Sequence, residues 1–139
     1  MAKFAFKATD DYAIRLSKMA AESEEVAKKA IFAAAEIVAD QIKSNLQGVL
    51  SDEATGELVD SFGVTPITRD NLGNWNVKIG FDDYDSNGVA NQLKARVIES
   101  GSSTKKKKPF VRPAVNATKK KAQAEMDRII DEEYKKLMG

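Results

Sequence analysis

Asn74-Trp75-Asn76-Val77-Lys78-Ile79-Gly80-Phe81 alternates polar and apolar residues at almost every step. Successive side chains of a strand point to opposite faces, so this pattern describes a β-strand with one buried face and one wet face. A sheet with a wet face is usually antiparallel, and the preceding Asp70-Asn71-Leu72-Gly73 supplies the turn residues of a hairpin. The other strand of that hairpin is expected over 61–68. Pro66 within it marks an edge strand or a bulge, because proline has no N–H to give to the ladder.

Helical periods flank this hairpin on both sides. Upstream, Val26, Ala30, Ala33/Ala34, Ile37/Val38, Ile42 and Leu46 recur at near-3.6 spacing, with Gln41 as the one polar member. They predict a helix over 23–47 that Gly48 is placed to end. Its alanines would let a neighbouring element approach closely. Before it, Thr9, Asp10 and Asp11 are N-cap candidates for a helix over 11–21 that shares a face at Tyr12, Leu16 and Met19. Phe4 and Phe6 suggest a short strand over 3–8.

Downstream, a polar loop over 82–88 leads to Ala95-Arg96-Val97-Ile98-Glu99, which predicts a strand over 94–100. A basic loop over 101–112 follows. Pro113 then suits the first turn of a helix, where its missing N–H is not needed. That helix is predicted over 113–137, with Val115, Ala122, Met126, Ile129/Ile130, Glu133 and Leu137 along one stripe. No internal repeat is visible. The expected architecture is α+β: one domain over 1–139, in which a small, mostly antiparallel sheet packs against a long helix in the N-terminal half and a long C-terminal helix.

Composition removes several chemistries. The 139 residues include no cysteine and no histidine. Disulfide staples, thiolate nucleophiles, histidine bases and zinc sites built on Cys or His are therefore excluded. No apolar run has the length of a signal peptide or a membrane span, and residues 30–39 are interrupted by Glu36. A cytoplasmic protein, or one packaged into a particle assembled there, is expected. Net charge is +1, yet residues 1–100 carry 11 basic and 16 acidic groups, whereas 101–139 carry 11 and 5. Such an asymmetry bears on association, not on fold.

Asp83-Tyr84-Asp85-Ser86-Asn87-Gly88 fits positions 1, 3, 5 and 6 of a calcium-binding EF-hand loop. Position 12, which needs a bidentate Glu, is Lys94, so a solvated turn is the better reading. The runs Glu22, Glu24, Glu25 and Asp131, Glu132, Glu133 are neighbours only in sequence, and adjacent helical residues point apart. No Gly-rich phosphate loop or nucleophile elbow occurs. No catalytic set, metal site, cofactor or small-molecule substrate is expected.

Lys105, Lys106, Lys107, Lys108, Arg112 and Lys119 to Lys121 place eight positive charges within 17 residues, with no acid among them. An acidic protein surface or nucleic acid could meet them, as could solvent alone; lysine lacks the planar fork that reads bases, so a DNA contact would be non-specific. In Lys108-Pro109-Phe110-Val111-Arg112-Pro113-Ala114, two prolines hold the chain extended before the helix and Phe110 and Val111 offer an apolar anchor.

These segments carry a resemblance. Glu99-Ser100-Gly101-Ser102-Ser103, the basic loop, Pro109-Phe110-Val111-Arg112-Pro113-Ala114 and a C-terminal helix resemble the signature of a tail-component family of long-tailed bacteriophages. That family is typified by gene product ten of the lambdoid siphophages, whose members read Val-Glu-aromatic-Gly-Thr and then Arg-Pro-Phe-Leu-Arg-Pro-Ala. Thr55-Gly56-Glu57-Leu58-Val59-Asp60-Ser61 resembles its Thr-Gly-x-Leu-x-x-Ser, matching at Thr55, Gly56, Leu58 and Ser61. The order of elements agrees from about residue 3 to 137. Ser100 departs from the family's aromatic, and the lysine run is longer than usual. The resemblance implies a structural virion protein at the head–tail junction or upper tail, assembled in the host cytoplasm. It would form a ring, hexameric or higher, as a neck or tail-completion component or a tail terminator. Its partners would be connector, neck or tail-tube proteins, with possible contact to DNA in the channel. Glu99, Gly101, residues 105–110, Arg112 and Pro113 would form the contact segment.

Overall fold

A computed structural model describes residues 12–16, 23–50 and 56–138. The alternating stretch forms the central strand of the sheet. In chain order the elements are β1 (Tyr12–Leu16), α1 (Glu24–Val49), α2 (Glu57–Asp60), β2 (Phe62–Val64), β3 (Thr68–Arg69), β4 (Trp75–Phe81), α3 (Asn91–Ser100) and α4 (Val111–Met138). β4 pairs antiparallel with β1 on one side and with β2 and β3, one after the other, on the opposite side. Trp75, Val77, Ile79 and Phe81 are buried, while Lys78 between them is exposed.

The turn at 70–73 forms as its residues predict. The Asp70 carboxylate accepts hydrogen bonds from the Leu72 and Asn74 backbone N–H groups, both at 2.9 Å, and Gly73 takes a positive φ of 84°. These bonds hold the Asp70 carboxyl below its usual range, the bond from the Asn74 backbone most of all. The strand expected over 61–68 is split. Pro66 interrupts the ladder, and the Thr65 hydroxyl accepts the Lys78 N–H at 2.9 Å beside the break.

α1 is the middle layer. It contacts β1, β2 and β4 on one side and α4 on the other. Burial on both sides explains its composition: Ala27, Ala30, Ala34 and Ala35 are small enough for close approach, while Ile31, Val38, Ile42 and Leu46 fill the remaining space. α1 and α4 run antiparallel. Lys29 near the start of α1 pairs with Glu133 near the end of α4 at 3.0 Å, and Asn45 near the end of α1 donates to the Phe110 carbonyl at 3.2 Å. α4 buries Val111, Ala114, Val115, Thr118, Ala122, Met126 and Ile130, close to the predicted stripe. No described helix is long and apolar enough to cross a membrane.

Several expectations are corrected. Residues 12–16 of the helix expected over 11–21 form β1, whose Ile14 is buried. The residues Tyr12, Leu16 and Met19 fit a helical face, but Tyr12, Ile14 and Leu16 fit a strand equally well; pairing with β4 decides between them. The strand expected over 94–100 is instead helix α3, in which Asn91, Ala95 and Glu99 are the buried positions. Two of those three are polar, so the helical period was hidden from a count of apolar residues. α1 runs one residue past Gly48, and α4 begins two residues before Pro113. The strand expected over 3–8 and Thr55 lie outside the described residues.

Candidate functional site

Glu99, in the last turn of α3, is 8% exposed. Its carboxylate lies against the start of α4. One oxygen accepts the Phe110 N–H at 2.8 Å and the Val111 N–H at 2.7 Å; the other accepts the Arg112 N–H at 3.2 Å. The first N–H groups of a helix have no partner within it, and the macrodipole favours an anion there. Local Ser or Asp caps usually fill this role. Here the cap comes from a different helix, so one side chain fixes α3 to α4. Val111 and Arg112 enter the helix because their N–H groups are already satisfied, and Pro113 follows where it has no N–H to lose.

The loop between the two helices is closed by backbone bonds. The Gly101 N–H bonds to the Val97 carbonyl at 2.7 Å, and the Lys108 N–H bonds to the Ile98 carbonyl at 2.7 Å. Within it, Ser102 N–H donates to the Lys105 carbonyl, and the Ser102 hydroxyl accepts the Thr104 and Lys105 N–H groups. Gly101 is required twice over. Its φ is 78°, and a Cβ there would stand 2.9 Å from the Lys107 nitrogen and 3.1 Å from the Lys105 carbonyl oxygen.

Phe110 is fully buried and meets Phe81 edge-on at 6.1 Å between centroids. Phe81 meets Phe62 at 5.0 Å. Phe62 directly follows Ser61, the last residue of the upstream motif, so the aromatic row joins the two motifs. In that upstream motif Gly56 has a φ of 86° at the head of α2, Leu58 is buried, and the Ser61 hydroxyl donates to the Leu58 carbonyl at 2.8 Å. The Glu57 carboxylate accepts bonds from Ser86, linking α2 to the turn that leads into α3.

The structure therefore brings Glu99, Gly101, Phe110 and the backbone of Arg112 together as a framework. Lys105, Lys106, Lys107, Lys108, Pro109, the Arg112 side chain and Pro113 lie on its exposed surface. Among the described residues, no acid lies within ion-pair distance of Lys105 to Lys108, Arg112 or Lys119 to Lys121. Cations carried on a loop whose backbone is held in place can attract carboxylates or phosphates. The sequence pointed to Phe81 only as a buried strand residue, not as the partner of Phe110, and gave no sign that Asn45 or Phe62 belongs to this site. Only the spacing of Asn91, Ala95 and Glu99 could have signalled a helix that presents a carboxylate.

The turn at 82–88 has another use for its acids. Asp85 accepts the Asn87 and Val89 N–H groups, each at 2.9 Å, and the Lys94 ammonium at 2.7 Å. The Lys94 hydrogen bond is the main cause holding the Asp85 carboxyl below its usual range. Lys94 thus occupies the carboxylate that an EF-hand would turn to calcium. Among the described residues no group of three or more acids is arranged to hold a metal.

Residues 10–101 match the family described as "Bacteriophage HK97-gp10, putative tail-component". No match to a curated protein or to a solved structure was found. The match spans about two thirds of the chain, including residues 55–61, Glu99 and Gly101, and it ends before the lysine run and the Pro-Phe-Val-Arg-Pro segment. The chain belongs to this family of bacteriophage tail components and is a structural protein of the phage virion.

Proposed function

We propose that this tail component is a ring-forming subunit of the neck or tail-completion complex at the head–tail junction, and that the loop over 101–108 with Arg112 is its contact arm. The supporting observation is the arm's construction: a buried carboxylate and closing backbone bonds fix its base, while its cations are left without acidic partners among the described residues. An ordered arm loses little conformational entropy on docking. The net −5 of residues 1–100 against +6 beyond gives each subunit an acidic part for a neighbour's basic arm. Head-to-tail contacts of that kind close into a ring when the rotation permits.

Reconstitution of heads and tails with chain carrying Lys105→Ser, Lys106→Ser, Lys107→Ser and Lys108→Ser tests this reading. Loss of joined particles in electron micrographs, with the fold retained, is expected. Wild-type chain that never joins tails or particles would refute it. A tail terminator at the top of the tube would use the same arm and differ in its neighbours.

The lysine run also favours a second reading, non-specific binding of DNA. Its signature is affinity for duplex DNA that falls steeply with salt and vanishes in the same variant. If assembly fails in that variant while DNA affinity is unchanged, the second reading is wrong.

A further inference from the structure

A groove of about 650 Å³ opens between the end of α1, α3 and the basic loop. Val89, Leu93 and Val97 contribute apolar lining, and Lys105, Lys106 and Lys108 stand at it as well. Val89 and Leu93 are 40% and 44% exposed, two of the few large apolar side chains that the described surface shows. The geometry points to this groove as the docking site for an acidic amphipathic segment of a different protein, carrying two or three aliphatic or aromatic anchors with Asp or Glu beside them.

Two observations select that chemistry. Apolar lining on this scale needs apolar anchors, which a nucleic-acid backbone does not offer. The three lysines are unneutralised by the described acids, so carboxylates flanking the anchors complete the electrostatic match. A fourth lysine of the lining, Lys94, is already committed to Asp85.

A second copy of the chain is a poorer occupant of the groove, and a neighbouring subunit of the ring meets the arm through Lys107 and Arg112, which do not line it. Among the described residues Leu72 is the most exposed large apolar one, but the nearby Asp70 carboxylate is taken up by bonds within the hairpin. Tyr134, with Asp131 three residues before it on α4, offers a single exposed anchor where the apolar lining of Val89, Leu93 and Val97 takes two or three. Tyr84 is bridged to Ala90 beside the groove itself, so another copy could insert it only as a face-to-face pair, which closes as a dimer. The inference rests on the reading above only for where in the particle the partner is found.

The test pans a display library of short peptides against the full chain and against Leu93→Ser and Lys106→Glu variants, whose folding is verified by thermal melting. Leu93 is 44% exposed and Lys106 is exposed, hence both variants should fold. The expected result is enrichment of peptides with Asp or Glu flanking Leu, Ile or Phe at helical spacing. Their affinity should fall by about tenfold or more in each variant. No enrichment, enrichment of basic or wholly polar peptides, or unchanged affinity in Leu93→Ser would overturn the proposal. Wild-type self-association that Leu93→Ser abolishes would overturn it in favour of a second copy. Nuclear Overhauser contacts from the Leu93 methyls to residues 1–11 or 51–55 would overturn it in favour of the chain's own segments. A chain that binds such peptides yet never joins particles would instead refute the head–tail assignment and leave this inference standing.

Discussion

Replacing Glu99 with alanine should be among the most damaging single changes to this fold, although the residue is charged and sits beside a loop. The substitution strips the acceptor from the N–H groups of Phe110 and Val111, both on fully buried residues. Each buried donor left without a partner costs about 1–3 kcal/mol. The Arg112 N–H belongs to an exposed residue and can turn to water. The favourable placement of an anion at a helix start is also lost, worth up to about 2 kcal/mol in a partly buried setting. These effects overlap, so a total of about 3–5 kcal/mol is expected. At this chain length each kcal/mol moves Tm by about 3–5 °C, giving a fall on the order of 10–20 °C. Glu99→Gln keeps the shape and one carbonyl that can accept from Phe110 and Val111; it should cost only about 1–2 kcal/mol. Glu132→Ala, which removes an exposed partner of Arg128, provides the baseline and should shift Tm by no more than about 2 °C. Far-UV circular dichroism melts give the ordering, and hydrogen exchange at the Phe110 and Val111 amides locates the effect. A Glu99→Ala protein that melts within about 2 °C of wild type, or keeps those two amides fully protected, would refute the account of the carboxylate as the tie between α3 and α4.

Other parts of the framework make their own predictions. Phe110→Ala empties a fully buried site against Phe81 and should cost about 3–5 kcal/mol, read as a lower urea midpoint at unchanged m-value. Gly101→Ala meets both a positive φ and the Lys107 backbone; destabilisation of about 1–3 kcal/mol is expected by the same titration. Asp85 has a folded-state pKa below its usual value of 3.8, so its contact with Lys94 stabilises the fold above that value and is lost as pH falls through the lower one. The stability difference between wild type and Asp85→Asn should thus be full at neutral pH and shrink only in strong acid; a difference that does not vary with pH would contradict the assignment. Replacing the four lysines at 105–108 by serine should leave stability within about 0.5 kcal/mol, since their side chains are exposed.

What the sequence revealed follows from how each element is stabilised. β4 was legible because one face is buried and the other wet, which writes period two directly into the residues. The turn at 70–73 was legible because Asp, Asn and Gly act locally. α1 and α4 showed their apolar periods because they pack mainly on each other, with hydrophobic contacts. α3 was not legible, because its inner face includes Asn91 and Glu99, and the reason Glu99 is inside lies 11 residues away at Phe110. β1 was not legible either: five residues fit two periods, and only β4 settles the choice. At the site, the residues were visible as a string and their division of labour was not. Glu99, Gly101 and Phe110 hold the framework, while the lysines face solvent.

That division has a consequence for how the basic arm is built. Its ends are fixed at Gly101 and Lys108 by backbone bonds, and at Glu99 by bonds to the next helix. Between those points the four lysine side chains take no part in the framework. Closing a longer or shorter loop between fixed ends changes the entropy slowly, by about 0.6 kcal/mol per doubling of length. The chemistry of the arm is therefore separable from the stability of its base. An acidic replacement of residues 105–108 should melt near the wild-type temperature while reversing the charge that the arm and the adjacent groove present. If such a protein instead unfolds early, the lysines contribute to the framework and the separation argued from these bonds fails.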